Sequence, residues 1–328
     1  MTIALIYNDP QPDRYGALGE SKAELGVLDE VKAVSLALDE LHYEYILVPL
    51  RPPLTKVKRV LQSIKAEVVF NLFEGFDGSP ETEGLVAQML ADLKLPFTGC
   101  PASALNLALD KAKTKKLLAE AGISTPLYQI LTPSNLSEFN LAWPCLIKPV
   151  NEDASHGLSE DSVVYNPVAL KNQVEKICAS FGGQALVEEY LNGREFNTVV
   201  MGNTRLTVPA VSEIVFMLPP DKPRILTFAS KWDESSLYYT NTKAHCPADI
   251  TSIEKNRLSR LAKTAFKITG CRGYARVDFR EGRPGRFYVL EVNPNPDITP
   301  GAGASLQIAA GGLTYNQFID RVLRLALQ

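Results

Sequence analysis

Between Thr2 and Gly99 the chain alternates apolar runs of strand length with stretches of helical spacing, and no other feature restricts its fold as much. TIALIY, YEYILVPL, AEVVFNLF and the short LPFTG read as strands. Ala23 to Leu41 places Leu25, Leu28, Val31, Val34, Leu38 and Leu41 at helical intervals, and Leu54 to Ile64 and Glu81 to Leu93 follow the same spacing. Such alternation predicts a parallel, doubly wound sheet, because each parallel neighbour is reached through a helical crossover. Ligands of these sheets sit beyond the carboxyl ends of the strands. Here those ends are Asn8-Asp9 and the run from Asn71 through Glu74 to Gly75.

From about residue 109 the pattern changes. LDKAKTKKLLAEAGISTP, from Leu109, reads as one basic helix closed by Gly122. WPCLIKPV is a strand leading into the loop NEDASHGLSEDSVVY, Val168 to Ser180 a helix, and ALVEEYLNGREFNTVVMGN two strands with a connection. Residues 227–247 are polar, aromatic and poorly periodic, which describes a functional or mobile loop. Ile253 to Thr269 is helical, and GYARVDFRE, GRPG and RFYVLEV form a hairpin. The expected division is 1–108, an α/β unit; 109–189, a central unit; and 190–328, a C-terminal unit.

A length of 328 residues suits two or three packed domains, and a net charge of −3 excludes a basic footprint for nucleic acid or an anionic membrane. The longest apolar runs are strand-length, so no membrane span is expected. MTIALIYNDPQPDR lacks the basic start and cleavage-type site of a signal peptide. Five scattered cysteines without a CxxC pair indicate free thiols and a cytoplasmic location.

The candidate chemistry gathers on the C-terminal hairpin. Strict alternation puts Phe287, Val289 and Glu291 on one face of the last strand, with Tyr288, Leu290 and Val292 on the other; Glu291 and Asn293 share a face. Arg276 and Asp278 share a face of the preceding strand. If the two strands pair, Asp278, Glu291 and Asn293 bring three hard oxygen donors to one sheet mouth. Magnesium takes such ligands, one or two carboxylates at a time; the other reading is a solvated strand end. Lys148 interrupts an apolar strand, either as a charge aimed at phosphate or as a snorkelling side chain. The loop after it, with Glu152, Ser155 and Gly157, offers backbone N–H groups to a phosphate chain. His156 within it reads as a solvated or lid residue rather than a base. Lys111 and the strand end Glu188, Glu189, Tyr190 and Leu191 complete a nucleotide-type set.

The order of these elements resembles the ATP-grasp carboxylate–amine ligases, in particular the D-alanine–D-alanine ligase-like family. The resemblance spans nearly the whole chain and rests on TGCPASALNLALDKAKTKKLLAEAGISTP, LIKPVNEDASHGLS, LVEEYLNGREF, SKW, HCPA, GCRGYARVDF and YVLEVNPNP. It implies an ATP-grasp fold with an N-terminal doubly wound parallel-sheet (pre-ATP-grasp) domain. It also implies ATP and Mg2+, with Mn2+ as a substitute, and an amide-forming ligase working through an acyl phosphate. By the same resemblance Lys111 and Lys148 reach the phosphates, and residues 188–191 hold adenine. Glu195 holds ribose, and Asp278, Glu291 and Asn293 hold the metal. Arg276, Lys231 and Ser155 act around the reacting atoms. Glu74, Gly301 and Ser305 fall on substrate-binding elements. The implied partners are small amino acids or peptides, with a homodimer left open.

Three segments depart from the family pattern. Its His-Gly and Gly-Glu-Asp-Gly segment is NLFEGFDGSPETEG here, its N-terminal Glu-Val-Ser has no clean counterpart in LGVLDEVKAVSLA, and NPNPDITPGAGAS is about three residues longer to Ser305. All three fall on substrate-binding elements. Another amino acid, a peptide or a natural-product intermediate therefore stands beside D-alanine as substrate. A nucleotide-binding regulatory protein without turnover is the alternative from another class.

Overall fold

The computed structural model describes residues 1–10, 22–76 and 78–328. Asp77, within FEGFDG, and residues 11–14 of the N-terminal stretch read above lie outside them. The first unit runs β1 (Thr2–Asn8), α1 (Lys22–Glu40), β2 (Glu44–Leu50), α2 (Leu54–Ser63) and β3 (Val68–Leu72). Its strands form a parallel sheet in the order β2-β1-β3. All five residues of β3 are buried, as a parallel strand covered on both faces requires. LPFTG contributes a single bridge, Val69 to Phe97, rather than a strand. Pro96 has no N–H to donate there, and Gly99 turns the chain at φ 87°.

Helices α3 (Glu81–Asp92), α4 (Ala102–Leu109) and α5 (Lys111–Glu120) follow. The basic helix expected from Leu109 thus begins two residues later. Asp110 leaves helical geometry, and its carboxylate caps α5 by accepting from Lys113 N at 2.9 Å.

Strands β4 (Tyr128–Leu131), β5 (Cys145–Pro149) and β6 (Val163–Val164), helix α6 (Pro167–Ser180) and strand β7 (Ala185–Glu189) come next. They build an antiparallel sheet in the order β4-β7-β5-β6, with Leu131, Ile147 and Val187 packed in one core with Val174 and Ile177 of α6. The remaining elements are β8 (Glu195–Met201), β9 (Ser212–Phe216), α7 (Phe228–Trp232), α8 (Leu237–Thr240), β10 (Thr242–His245), α9 (Ser252–Ile268), β11 (Tyr274–Arg283) and β12 (Arg286–Pro294). Their strands form a second antiparallel sheet in the order β10-β9-β8-β11-β12. Residues 227–247 are therefore structured. Thr227 and Ser236 cap two helices of five and four residues, too short to display a period in sequence. Finally α10 (Gly303–Ala310) and α11 (Tyr315–Ala326) return to the first sheet, where Phe318, Ile319 and Val322 share a core with Ile3, Leu5 and Phe70. Among the described residues no helix is long and apolar enough to cross a membrane.

One irregularity fixes the site. Asp278 faces Glu291 across the hairpin, whereas Phe279 faces Val289, so Leu290 is an extra, bulged residue. Phe287, Val289 and Val292 are buried in the core, two apart and then three apart. The expected sharing of a face by Phe287, Val289 and Glu291 is overturned. The bulge turns Glu291 away from the core, and with Leu290 and Asn293 it lines a cleft.

Candidate active site

The two antiparallel sheets enclose a cleft of about 680 Å³, lined by Leu146, Lys148 and Glu188 on one side and by residues of β8 to β12 on the other. Asn8, Glu30, Glu74 and Glu83 of the first unit close one end. This volume lies within the range of small-molecule sites.

Glu291 is the electrostatic centre. Burial pushes its carboxyl up, but Lys111, Lys148, Arg276 and Lys231 outweigh that and hold it down at about 2. It is therefore ionised at neutral pH. Lys111, on the first turn of α5, donates from Nζ to the Glu152 carbonyl, which fastens the helix to the loop after β5. Burial lowers the Lys111 ammonium, against the pull of Glu291. Lys148 is buried as well, yet Glu188 and Glu291 carry it above its ordinary value.

Asp278 accepts from Arg276 Nε and Nη2 at 2.7 and 2.8 Å, a two-pronged ion pair. Asn293 donates from Nδ2 to Asp278 Oδ2 at 2.9 Å and to Glu291 Oε1 at 3.4 Å. These contacts bring the expected metal set together. Among the described residues no cluster of three or more His, Cys, Asp and Glu side chains suits a metal. Two carboxylates and an amide nevertheless fit magnesium, whose remaining ligands come from phosphate and water.

At the other end Glu188 is 1% exposed, paired with Lys115 and, at 2.9 Å, with Lys148. Sequence reading assigned it to adenine; the structure gives both its oxygens to lysines. Glu189, Tyr190 and Leu191 line the cleft. Glu195 is ion-paired with Arg280, which also donates from Nε to the Leu191 carbonyl at 2.8 Å. Burial nevertheless raises the Glu195 carboxyl above its ordinary value.

Ser155 and Glu152 line the cleft, and the loop between them is strained: Ala154 and Ser155 lie at φ 46° and 66°. Gly157 does not line it. At φ 73°, an added Cβ would meet Phe181 Cε2 at 2.8 Å and Pro149 Cγ at 3.1 Å, so this glycine serves the turn and its packing. Gly157→Ala is expected to lower stability by about 1–3 kcal/mol through overpacking, read from denaturant unfolding. The loop meets α7: Phe228 N donates to the Leu158 carbonyl at 3.0 Å, and the His156 and Phe228 rings stack with centroids 5.5 Å apart. Lys231, in the last turn of α7, lines the cleft.

At the closed end Glu74 and Gly301 line the cleft, whereas Ser305 does not. The Ser305 hydroxyl is buried and donates to the Ile298 carbonyl at 2.6 Å, tying α10 to the loop before it. Sequence reading missed Lys115, Arg280, Glu30 and Glu83. The first two had a signal. Lys115 stands four residues after Lys111 on one helix face, and Arg280 continues the alternation of Arg276 and Asp278.

The family model described as D-ala D-ala ligase C-terminus matches residues 117–324. An uncharacterized protein, y4sG, of Sinorhizobium fredii (strain NBRC 101917 / NGR234) is 32% identical over 259 residues, covering 79% of this chain and 74% of that protein. The D-alanine–D-alanine ligase of Haemophilus influenzae (strain PittEE) is 30% identical over 266 residues, covering 79% and 82%. The crystal structure of the Bacillus anthracis D-alanine–D-alanine ligase complexed with ATP has the same fold, with a TM-score of 0.75 and 20% identity over 100% of this chain and 97% of that one. The VanG D-Ala:D-Ser ligase from Enterococcus faecalis gives 0.76 and 22%, over 99% of each chain. With a cleft between two antiparallel sheets and a family match over most of its length, the chain belongs to the D-alanine–D-alanine ligase family of ATP-grasp enzymes, which form C–N bonds between a carboxylate and an amine.

Proposed function

We propose that the cleft binds ATP between its two sheets and joins the carboxylate of an amino acid or short peptide to the amine of a second amino acid. The observation that carries this reading is the convergence of Lys111, Lys148, Arg276 and Lys231 on the ionised Glu291. Four cations directed at one carboxylate, with Asp278 and Asn293 beside it, suit a polyphosphate carried with a divalent cation.

In this reading Lys111, Lys148 and residues 152–158 hold the phosphates, residues 189–191 border the base, and Glu195 faces the ribose. Asp278, Glu291 and Asn293 would hold magnesium, which when bound neutralises charge on the phosphates. A carboxylate oxygen of the first substrate attacks the γ-phosphorus, the bond to ADP breaks, and an acyl phosphate forms. The amine of the second substrate then attacks the acyl carbon, phosphate leaves with the bonding pair, and the amine gives up a proton. Positioning and charge neutralisation do most of this work. Arg276 steadies the oxyanion of the second step. An acyl phosphate hydrolyses in water, and the contact of the 152–158 loop with α7 supplies a cover. Glu74 and Gly301 border the substrate end.

The names of the relatives carry D-alanine and D-serine, so these are the first substrates to assay. The test is ADP release from ATP with a magnesium salt across paired amino acids, with mass detection of the product. Release that requires both members of a pair, with an amide product, is the expected result. ADP formed with no pair dependence and no amide would overturn the ligase reading.

A further inference from the structure

We infer that Lys115 is a positioning residue for nucleotide binding, acting through Glu188 to keep the charge of Lys148 directed into the cleft. The inference rests on the nucleotide reading of that cleft. Lys115 does not line it; its side chain is 1% exposed, inside the packing between α5 and the four-stranded sheet. Its Nζ pairs with one oxygen of Glu188 and donates to Thr125 Oγ1 at 2.7 Å. The other Glu188 oxygen pairs with Lys148 Nζ at 2.9 Å, and Lys148 does line the cleft.

The charges of this buried chain decide what a phosphate meets. Lys148 and Glu188 alone sum to zero, so an anion in the cleft would face a cancelled pair. Lys115 restores one net positive charge and occupies the carboxylate from behind. Folding alone does not require this arrangement, because buried ion pairs are often replaceable by apolar side chains without loss of stability. An apolar substitute would fill the space, but it would leave the Lys148 charge compensated by Glu188.

Burial brings the Lys115 ammonium down to about 8, with Glu188 and Glu291 pulling it up and Lys148 pushing it further down. The Tyr128 ring, 5.7 Å away, bounds it on β4. The positive charge behind Glu188 is therefore present below about pH 8 and lost above it.

The test is titration of the full-length protein with ATP and a magnesium salt from pH 6.5 to 9.5. In the parent, affinity should fall as pH rises through about 8. In Lys115→Met, affinity at pH 7 should be about tenfold weaker, ~1.4 kcal/mol, and flat across pH 8, with KM for acid and amine unchanged. The double variant Lys115→Met/Glu188→Gln, which restores one net charge, should bind more tightly than Lys115→Met. A merely structural lysine predicts additive losses instead. If the single variant does not fold, the double variant is measured against the parent, and retention of the fall across pH 8 overturns the inference. Parental ATP binding with Lys115→Met unchanged overturns it alone, whereas a parent that binds no ATP overturns the nucleotide reading itself.

Discussion

Glu291→Gln is expected to lower kcat by about 10³-fold or more, equivalent to ~4 kcal/mol of barrier, while far-UV circular dichroism at 25 °C stays parental. Glutamine keeps the shape and removes one charge. That charge is the shared counter-ion of Lys111, Lys148, Arg276 and Lys231 and one of the two carboxylates offered to a metal. The same carboxylate helps hold the cleft together. Its pKa of about 2 lies below the ordinary carboxylate value, so its stabilising contribution is present at neutral pH and is lost as pH falls towards 2. The variant should therefore melt below the parent at pH 7, with the gap closing in acid. Parental kcat in the variant would remove Glu291 from the proposed metal site.

Arg280→Met should produce the largest loss of stability, about 3–5 kcal/mol, because it leaves a buried carboxylate without its partner. Arg280 is 3% exposed and binds Glu195 together with the carbonyls of Leu191 and Arg224. Three acceptors at the border of the cleft lose their donor at once. Burial already raises the Glu195 carboxyl, and without Arg280 it would rise further. A carboxyl raised in the folded state stabilises the protein as it takes up a proton. The deficit of the variant should thus narrow as pH falls from 7 towards 5, measured by urea unfolding. A deficit below about 1 kcal/mol at pH 7, the scale of an exposed pair, would show that Arg280 and Glu195 act as an ordinary surface pair.

How much of this was legible in the chain depends on the range of the forces involved. The apolar periods of α1 and α9 and the runs of β1 and β3 are local signals, and they place those elements to within about two residues. The company of Lys148, Asp278, Glu291 and Asn293 was legible because alternation along a strand fixes which residues share a mouth. Long-range partnership was not. Glu188 reads in sequence as a strand-end carboxylate facing a ligand, yet its oxygens belong to Lys115 and Lys148, 73 and 40 positions earlier in the chain. Ser305 reads as a pocket hydroxyl, yet the helix it opens turns it onto the Ile298 carbonyl. Leu290 shows a third limit. No residue type marks a bulge of this kind, and the phase of a strand beyond one cannot be counted from the sequence alone.

That bulge lets β12 carry one residue more than its pairing needs. Phe287 and Val289 anchor one phase of β12 and Val292 the other, with a single inserted residue between them. Exchanging Leu290 for another apolar side chain keeps the count, and with it the direction of Glu291. Deleting it restores strict alternation, in which Glu291 follows Val289 directly and still faces the cleft while Val292 still faces the core. Genetic drift at position 290, by substitution or by loss, therefore leaves the direction of Glu291 unchanged. The least distinctive letter of this strand is also the one its pairing can spare.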